Sequence, residues 1–156
     1  MFRKQKIVEK RTVLFVDDDE IVLRSIERGF LDENELLNQL FAKSSQDALE
    51  ILQREEVHVI VTDMRMPGMD GLELLKIVRE MYPHIVTIVL SGYMDMSIFQ
   101  TEFNQGEIFK IVPKPWKLET DFKKVVLKAI EHYNLQSERG RPDGRRLKQC
   151  KAKLRE

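Results

Sequence analysis

Cysteine is almost missing from this chain: of 156 residues, only Cys150 carries a thiol. No intramolecular disulfide can form, so the fold must rest on its core, and a reducing compartment is expected. Cys150 lies in a polar, basic stretch and is read as incidental. Long apolar runs are lacking too. The longest are strand-sized, far below the roughly 20 residues that cross a bilayer. The basic residues 1–11 are followed by no apolar run of signal-peptide length. These absences argue against a membrane protein and predict a soluble, cytoplasmic one. Histidine is sparse: His58, His84 and His132 are scattered, and no HExxH or CxxC spacing occurs. The usual zinc patterns are therefore excluded, and each histidine is read as structural or surface. An excess of one charge is also absent, because 26 Lys and Arg balance 26 Asp and Glu.

What is present is unevenly placed. Residues 1–11 carry five basic side chains against Glu9, a net +4, and residues 138–156 carry eight against three acids, a net +5. The segment between them is therefore at −9. An acidic globule with basic ends lacks the basic face of a compact nucleic-acid-binding domain. It suits a protein that gathers cations into an acidic pocket. Apolar residues reach 42%, enough for one sizeable core. Three regions are expected: a basic N-terminal extension over 1–11, a folded domain over 12–135, and a basic tail or linker over 136–156, broken by Gly140, Pro142 and Gly144.

Within the folded segment, apolar strand-like runs alternate with helical periodicity. Clear strands are expected at 12–16, 57–62, 85–90 and 108–112, with a weaker one at 38–43. Helices are expected at 20–31 with Asp19 as cap, at 45–54 with Ser44 or Ser45 as cap, at 72–81 ahead of Pro83, at 95–104, and at 118–135. Five strand–helix repeats with strands buried on both faces predict an α/β fold: a doubly wound, five-stranded parallel sheet. In such sheets, ligands sit at the carboxyl ends of the strands near a switch in strand order.

Those ends are chemically loaded. Asp17 and Asp18 close the first strand, Asp63 another, then Ser91 and Lys114 close two more. One acid at a strand end is often a cap or turn residue. Three carboxylates gathered at one edge repel each other, so either their acidity weakens or a hard divalent cation sits among them. Mg²⁺ suits all-oxygen ligands and commonly partners phosphate. Asp19 and Glu20 are read as acids favourable to the start of a helix. Pro67 and Gly68 are expected to shape a tight turn beside Asp63.

The segments VLFVDDDE, VIVTDMRMPGMDG, VLSGY and VPKPW resemble the signature blocks of two-component response-regulator receivers, over roughly residues 12–133. The resemblance implies a CheY-like, flavodoxin-like (βα)5 fold. It implies that Asp63 is the phospho-acceptor, and that Asp18 ligates Mg²⁺ directly while Asp17 does so mainly through water. The backbone carbonyl of Arg65 would be a further ligand. Ser91 would hydrogen-bond the incoming phosphoryl group, and Lys114 would pair with it and with Asp63. Phosphoryl transfer needs positioning and charge neutralisation more than covalent help. A carboxylate nucleophile needs no histidine base. On this reading the chain acts on no substrate besides itself, catalysing only its own phosphorylation and dephosphorylation. Its partner is a sensor histidine kinase or a phosphotransfer protein. A homodimer through the face between Ile108 and Leu135 is the expected mode of self-association, with no membrane and no nucleic-acid partner.

Three positions depart from the family pattern or bear on its tuning. Ile111, three before Lys114, stands where many receivers carry an aromatic switch residue, and period-two spacing places Phe109 on the same strand face. Arg65 and Tyr93 occupy the positions that regulate water access to an aspartyl phosphate, and their bulk predicts slow loss of phosphate. The peptide bond before Pro115 is often cis in the family, and Trp116 is read as a packing residue. NQGEIFKIVPKPW also looks like receivers that precede cyclic-dinucleotide phosphodiesterase domains. Two rivals differ in class. A haloacid-dehalogenase-type phosphatase would use Asp17-x-Asp19, but leaves Asp63 idle and lacks a later acidic pair. A non-phosphorylated pseudo-receiver scaffold would be expected to lack part of the set Asp17, Asp18, Asp63, Ser91 and Lys114.

Overall fold

The computed structural model describes residues 9–91, 107–113 and 121–138. Five parallel strands form one sheet in the order β2-β1-β3-β4-β5. They are β1 (Arg11–Val16), β2 (Leu37–Ala42), β3 (Val59–Asp63), β4 (Val86–Ser91) and β5 (Lys110–Pro113). The described helices are α1 (Glu20–Gly29), α2 (Ser45–Arg54), α3 (Gly71–Met81) and α4 (Lys123–Glu138). The doubly wound α/β sheet expected from the alternation is present. The helix expected at 95–104 lies outside the described residues.

Local chemistry sets the helix starts. Asp19 caps α1 by accepting from the Ile21 amide at 2.9 Å, and Ser44 caps α2 by accepting from Asp47 at 3.0 Å. Asp70 caps α3 in the same way through Glu73, at 2.9 Å. Each such cap is worth about 1 kcal/mol. α1 ends at Gly29, two residues earlier than its periodicity suggests, and Leu31–Glu33 form a 3-10 turn instead.

Alternation along the strands divides the core between the two faces of the sheet. Leu14, Val16, Ile60 and Val89 pack with Leu52, Leu74, Leu75 and Val78 of α2 and α3. Val13, Phe15, Val61 and Ile88 pack on the other side with Ile26, Phe122 and Val126 of the α1 and α4 side. Three fully buried rings meet there: Phe15 lies 5.6 Å from Phe30 and 6.2 Å from Phe122, and those two lie 5.9 Å apart, edge to face. Burying each ring stabilises the fold by about 1.5–3 kcal/mol, before any gain from ring geometry.

At the opposite edge from the strand carboxyl ends, His58 does the work of a strand residue. Its amide donates to the Thr12 carbonyl at 2.9 Å, and its Nδ1 accepts from the Thr12 amide at 2.8 Å. β3 therefore starts at Val59 rather than at Val57. Tyr133 of α4 closes over the imidazole at 4.9 Å. His58 is thus structural, as expected. Phe109 and Ile111 do not share a face: Ile111 packs on the α2–α3 side and Phe109 on the α1–α4 side. The chain bends over 107–109 before β5 begins at Lys110, so two-residue alternation does not reach back to Phe109.

Candidate functional site: three carboxylates at the carboxyl edge of the sheet

β1 and β3 are neighbours, and β2 lies on the far side of β1, so the strand order reverses between them. Their register pairs Val16 with Thr62. The next residues along each strand, Asp17 and Asp63, therefore emerge side by side. Asp17, Asp18 and Asp63 each offer a carboxylate oxygen within 4.8 Å of the others. Asp17 and Asp63 are buried, while Asp18 is exposed.

The main chain fixes two of these carboxylates. Asp17 Oδ1 accepts from the Asp19 amide at 2.9 Å, and Asp63 Oδ1 accepts from the Met64 amide at 3.0 Å. The Thr62 hydroxyl donates to the Asp63 carbonyl at 2.9 Å. Asp19, one residue on, is committed to the α1 cap, which leaves the Asp17-x-Asp19 pairing of a dehalogenase-type phosphatase without its second acid.

Ser91 ends β4 and is fully buried. β3 and β4 pair Asp63 with Leu90, and β4 and β5 pair Ser91 with Pro113. Ser91 thus lies one residue beyond the partner of Asp63, on the strand between β3 and β5. Lys114, which follows Pro113, lies outside the described residues, as do Tyr93, Pro115 and Trp116. Arg65 is exposed two residues after Asp63, on the loop leading to α3. Gly68 in that loop has φ +76°, the left-handed region that glycine enters without strain.

Sequence reasoning missed two features here. Ser45 was legible only as a possible helix cap, yet Ser44 takes that role, and the buried Ser45 hydroxyl instead donates to the Met69 carbonyl at 2.8 Å. Gly71 opens α3 directly against the main chain of Asp63 and Met64. The only signal for it was an Asp–Gly pair at a helix start.

An all-oxygen cluster with two carboxylates buried fits a small hard cation, since three negative groups this close are costly without one. Among the described residues, no imidazole or thiolate belongs to the cluster.

The fold agrees with that of known proteins. The family model of the response regulator receiver domain matches residues 13–126. A hydrogenase transcriptional regulatory protein, HoxA of Cupriavidus necator, is 37% identical over 135 residues, 86% of this chain and 27% of that protein. A DNA-binding transcriptional regulator NtrC of Proteus hauseri is 33% identical over 131 residues, 84% of this chain and 27% of that protein. The crystal structure of the signal receiver domain of an HD domain-containing protein from Pseudomonas fluorescens Pf-5 superposes with a TM-score of 0.72 at 28% identity, covering 81% of this chain and 98% of that one. This chain belongs to the response regulator receiver family. It spans about a quarter of the length of the two curated relatives. No helix among the described residues is long and apolar enough to cross a membrane.

Proposed function

We propose that this chain is a cytoplasmic phosphorylation switch, in which Asp63 accepts a phosphoryl group from a phosphohistidine of a sensor kinase or phosphotransfer protein. The observation that carries the reading is the convergence of Asp17, Asp18 and Asp63 within 4.8 Å at the switch in strand order. In the reaction, an Asp63 carboxylate oxygen bonds to phosphorus as the phosphorus–nitrogen bond breaks, and the leaving imidazole takes a proton from solvent. Asp18, Asp17, Asp63 and the Arg65 carbonyl would hold Mg²⁺. When bound, that ion neutralises charge on the transferring group. Ser91, buried at the end of β4, donates its hydroxyl to a phosphoryl oxygen. Lys114 would supply the matching cation. The chain turns over no other substrate and catalyses only its own phosphorylation and dephosphorylation. Arg65 stands beside the acceptor and, with Tyr93, slows attack by water.

The readout is a partner protein or a further domain. A groove of about 540 Å³ between β5 and α4, lined by Ile111, Lys110, Lys124 and Lys128 among others, lies on the face between Ile108 and Leu135. Leu135 is exposed on the same helix. The exposed Leu135 supports self-association through that face.

The test is phosphorylation by a small-molecule phosphodonor with Mg²⁺, read by intact mass. Wild type should gain one phosphoryl group only with Mg²⁺, and Asp63→Asn none. No gain by folded wild type would transfer the reading to a constitutive scaffold.

A further inference from the structure

We infer that Ser45 is a positioning residue for the cation site, acting through the loop that carries Arg65. The inference rests on the Asp63 reading above. Three observations support it. Ser45 is 1% exposed, so its hydroxyl faces protein rather than water. That hydroxyl is not needed by its own helix, because the neighbouring Ser44 provides the α2 cap. It donates instead to the Met69 carbonyl at 2.8 Å, with the Asp70 carbonyl 3.4 Å away.

The loop 64–70 is closed at its base. The Met64 amide donates to the Leu90 carbonyl at 3.3 Å, and the Gly71 amide returns to the Met64 carbonyl at 2.8 Å. Between those points the chain turns through Gly68 at φ +76°. Ser45 grips the returning limb of this turn from a different helix, next to Asp70, which caps α3. The loop is therefore held between α2 and the sheet, and the Arg65 carbonyl is held with it.

Without the hydroxyl, the Met69 carbonyl loses a donor in a partly buried setting. A net hydrogen bond is worth a factor of about 2 to 12 in an equilibrium. A loop that spends less time in the binding geometry binds its cation more weakly by that fraction.

The experiment titrates the full chain with Mg²⁺ by calorimetry, for wild type, Ser45→Ala, Ser45→Gly and Ser45→Thr. Thermal unfolding without Mg²⁺ is measured alongside. Ser45→Ala and Ser45→Gly should raise the Mg²⁺ dissociation constant about threefold to tenfold. Ser45→Ala should melt only slightly below wild type, since alanine's helix preference offsets part of the lost hydrogen bond. Ser45→Thr, which restores the hydroxyl, should recover binding. At saturating Mg²⁺ all forms should accept a phosphoryl group at similar rates, which separates a lost cation from a damaged acceptor. Folded Ser45→Ala or Ser45→Gly binding Mg²⁺ as tightly as wild type overturns the inference, and so does Ser45→Thr behaving like Ser45→Ala. If wild type takes up neither Mg²⁺ nor phosphate, the site reading itself fails, and the role of Ser45 falls with it.

Discussion

Gly71 meets the main chain of Asp63 with no room for a side chain. A Cβ added to it would lie 2.2 Å from the Asp63 carbonyl oxygen and 2.9 Å from the Met64 Cα. Both obstacles are backbone, and the Asp63 carbonyl is already held by the Thr62 hydroxyl. The first turn of α3 therefore rests directly on Asp63.

From this contact, Gly71→Ala should cost about 2–3 kcal/mol, at the upper end of overpacking effects, because neither side can relax without moving a strand end. Urea denaturation measures the loss. The same variant should accept phosphate more slowly while still folded, since relief of the clash displaces Asp63. Gly68 offers the contrast: nothing lies within 4 Å of its added Cβ, and only its φ of +76° resists. Gly68→Ala should cost only about 1 kcal/mol. Equal losses at the two glycines would refute the steric account.

Charge repulsion among the carboxylates gives a prediction whose sign depends on the ion. Asp18 is exposed, and its repulsion with each neighbour is on the order of 1 kcal/mol in a water-like medium. Without Mg²⁺, Asp18→Asn should raise the melting temperature by about 2–8 °C. With Mg²⁺ in excess, wild type should gain most of that difference back or overtake the variant, because only it binds the ion well. Calorimetric melts with and without Mg²⁺ decide it. A variant that melts lower in both conditions would mean that Asp18 is structural.

Ile21 is 74% exposed on the first turn of α1, four residues after Asp17. An apolar side chain left so open, a few residues along the chain from Asp17 and Asp18, suits a protein partner approaching Asp63. Ile21→Asp should slow phosphoryl transfer from a phosphohistidine protein about tenfold. Transfer from a small phosphodonor should be unaffected. If both rates fall together, Ile21 supports the pocket rather than the partner.

Lys43 follows β2 and reaches Glu20 at the start of α1, with Nζ 2.5 Å from Oε1. The hydrogen bond from Lys43, then its charge, then the charge of Arg24 hold the Glu20 carboxyl below its ordinary value of 4.5. A carboxyl whose acidity is strengthened by folding adds stability above its unfolded value and loses it as pH falls through the folded one. Glu20 is open to solvent, so the contribution is small and screened by salt. Replacing Lys43 by Met should move the NMR titration midpoint of Glu20 upward. An unmoved midpoint would show that the pair does not persist in solution.

Much of this molecule could be read from residue order alone. Buried strands ending in acids, and helices capped by Asp19 and Ser44, follow from local chemistry, and Asp17, Asp18 and Asp63 meet because the sheet is parallel and wound both ways. What could not be read depends on contacts between distant segments. Nothing near Ser45 announces Met69, which lies 24 residues away. His58 reads as an ordinary strand residue until its ring is placed: Nδ1 accepts the Thr12 amide that a main-chain carbonyl would otherwise take. The side assigned to Phe109 failed for a related reason. Alternation holds only inside a strand, and where the strand begins is decided by its neighbours in the sheet.

The Phe15, Phe30 and Phe122 cluster bears on how this unit could be cut or joined to others. One ring comes from β1, one from the turn after α1, and one from the residue before α4, over 100 residues after Phe15. The family match stops at residue 126, yet Ala129, Ile130 and Tyr133 beyond it complete the same buried layer. Truncation at that boundary would strip α4 from the sheet and expose rings on two other elements. A transplantable module therefore needs the helix through Glu138, and a fused output should be spliced after that point.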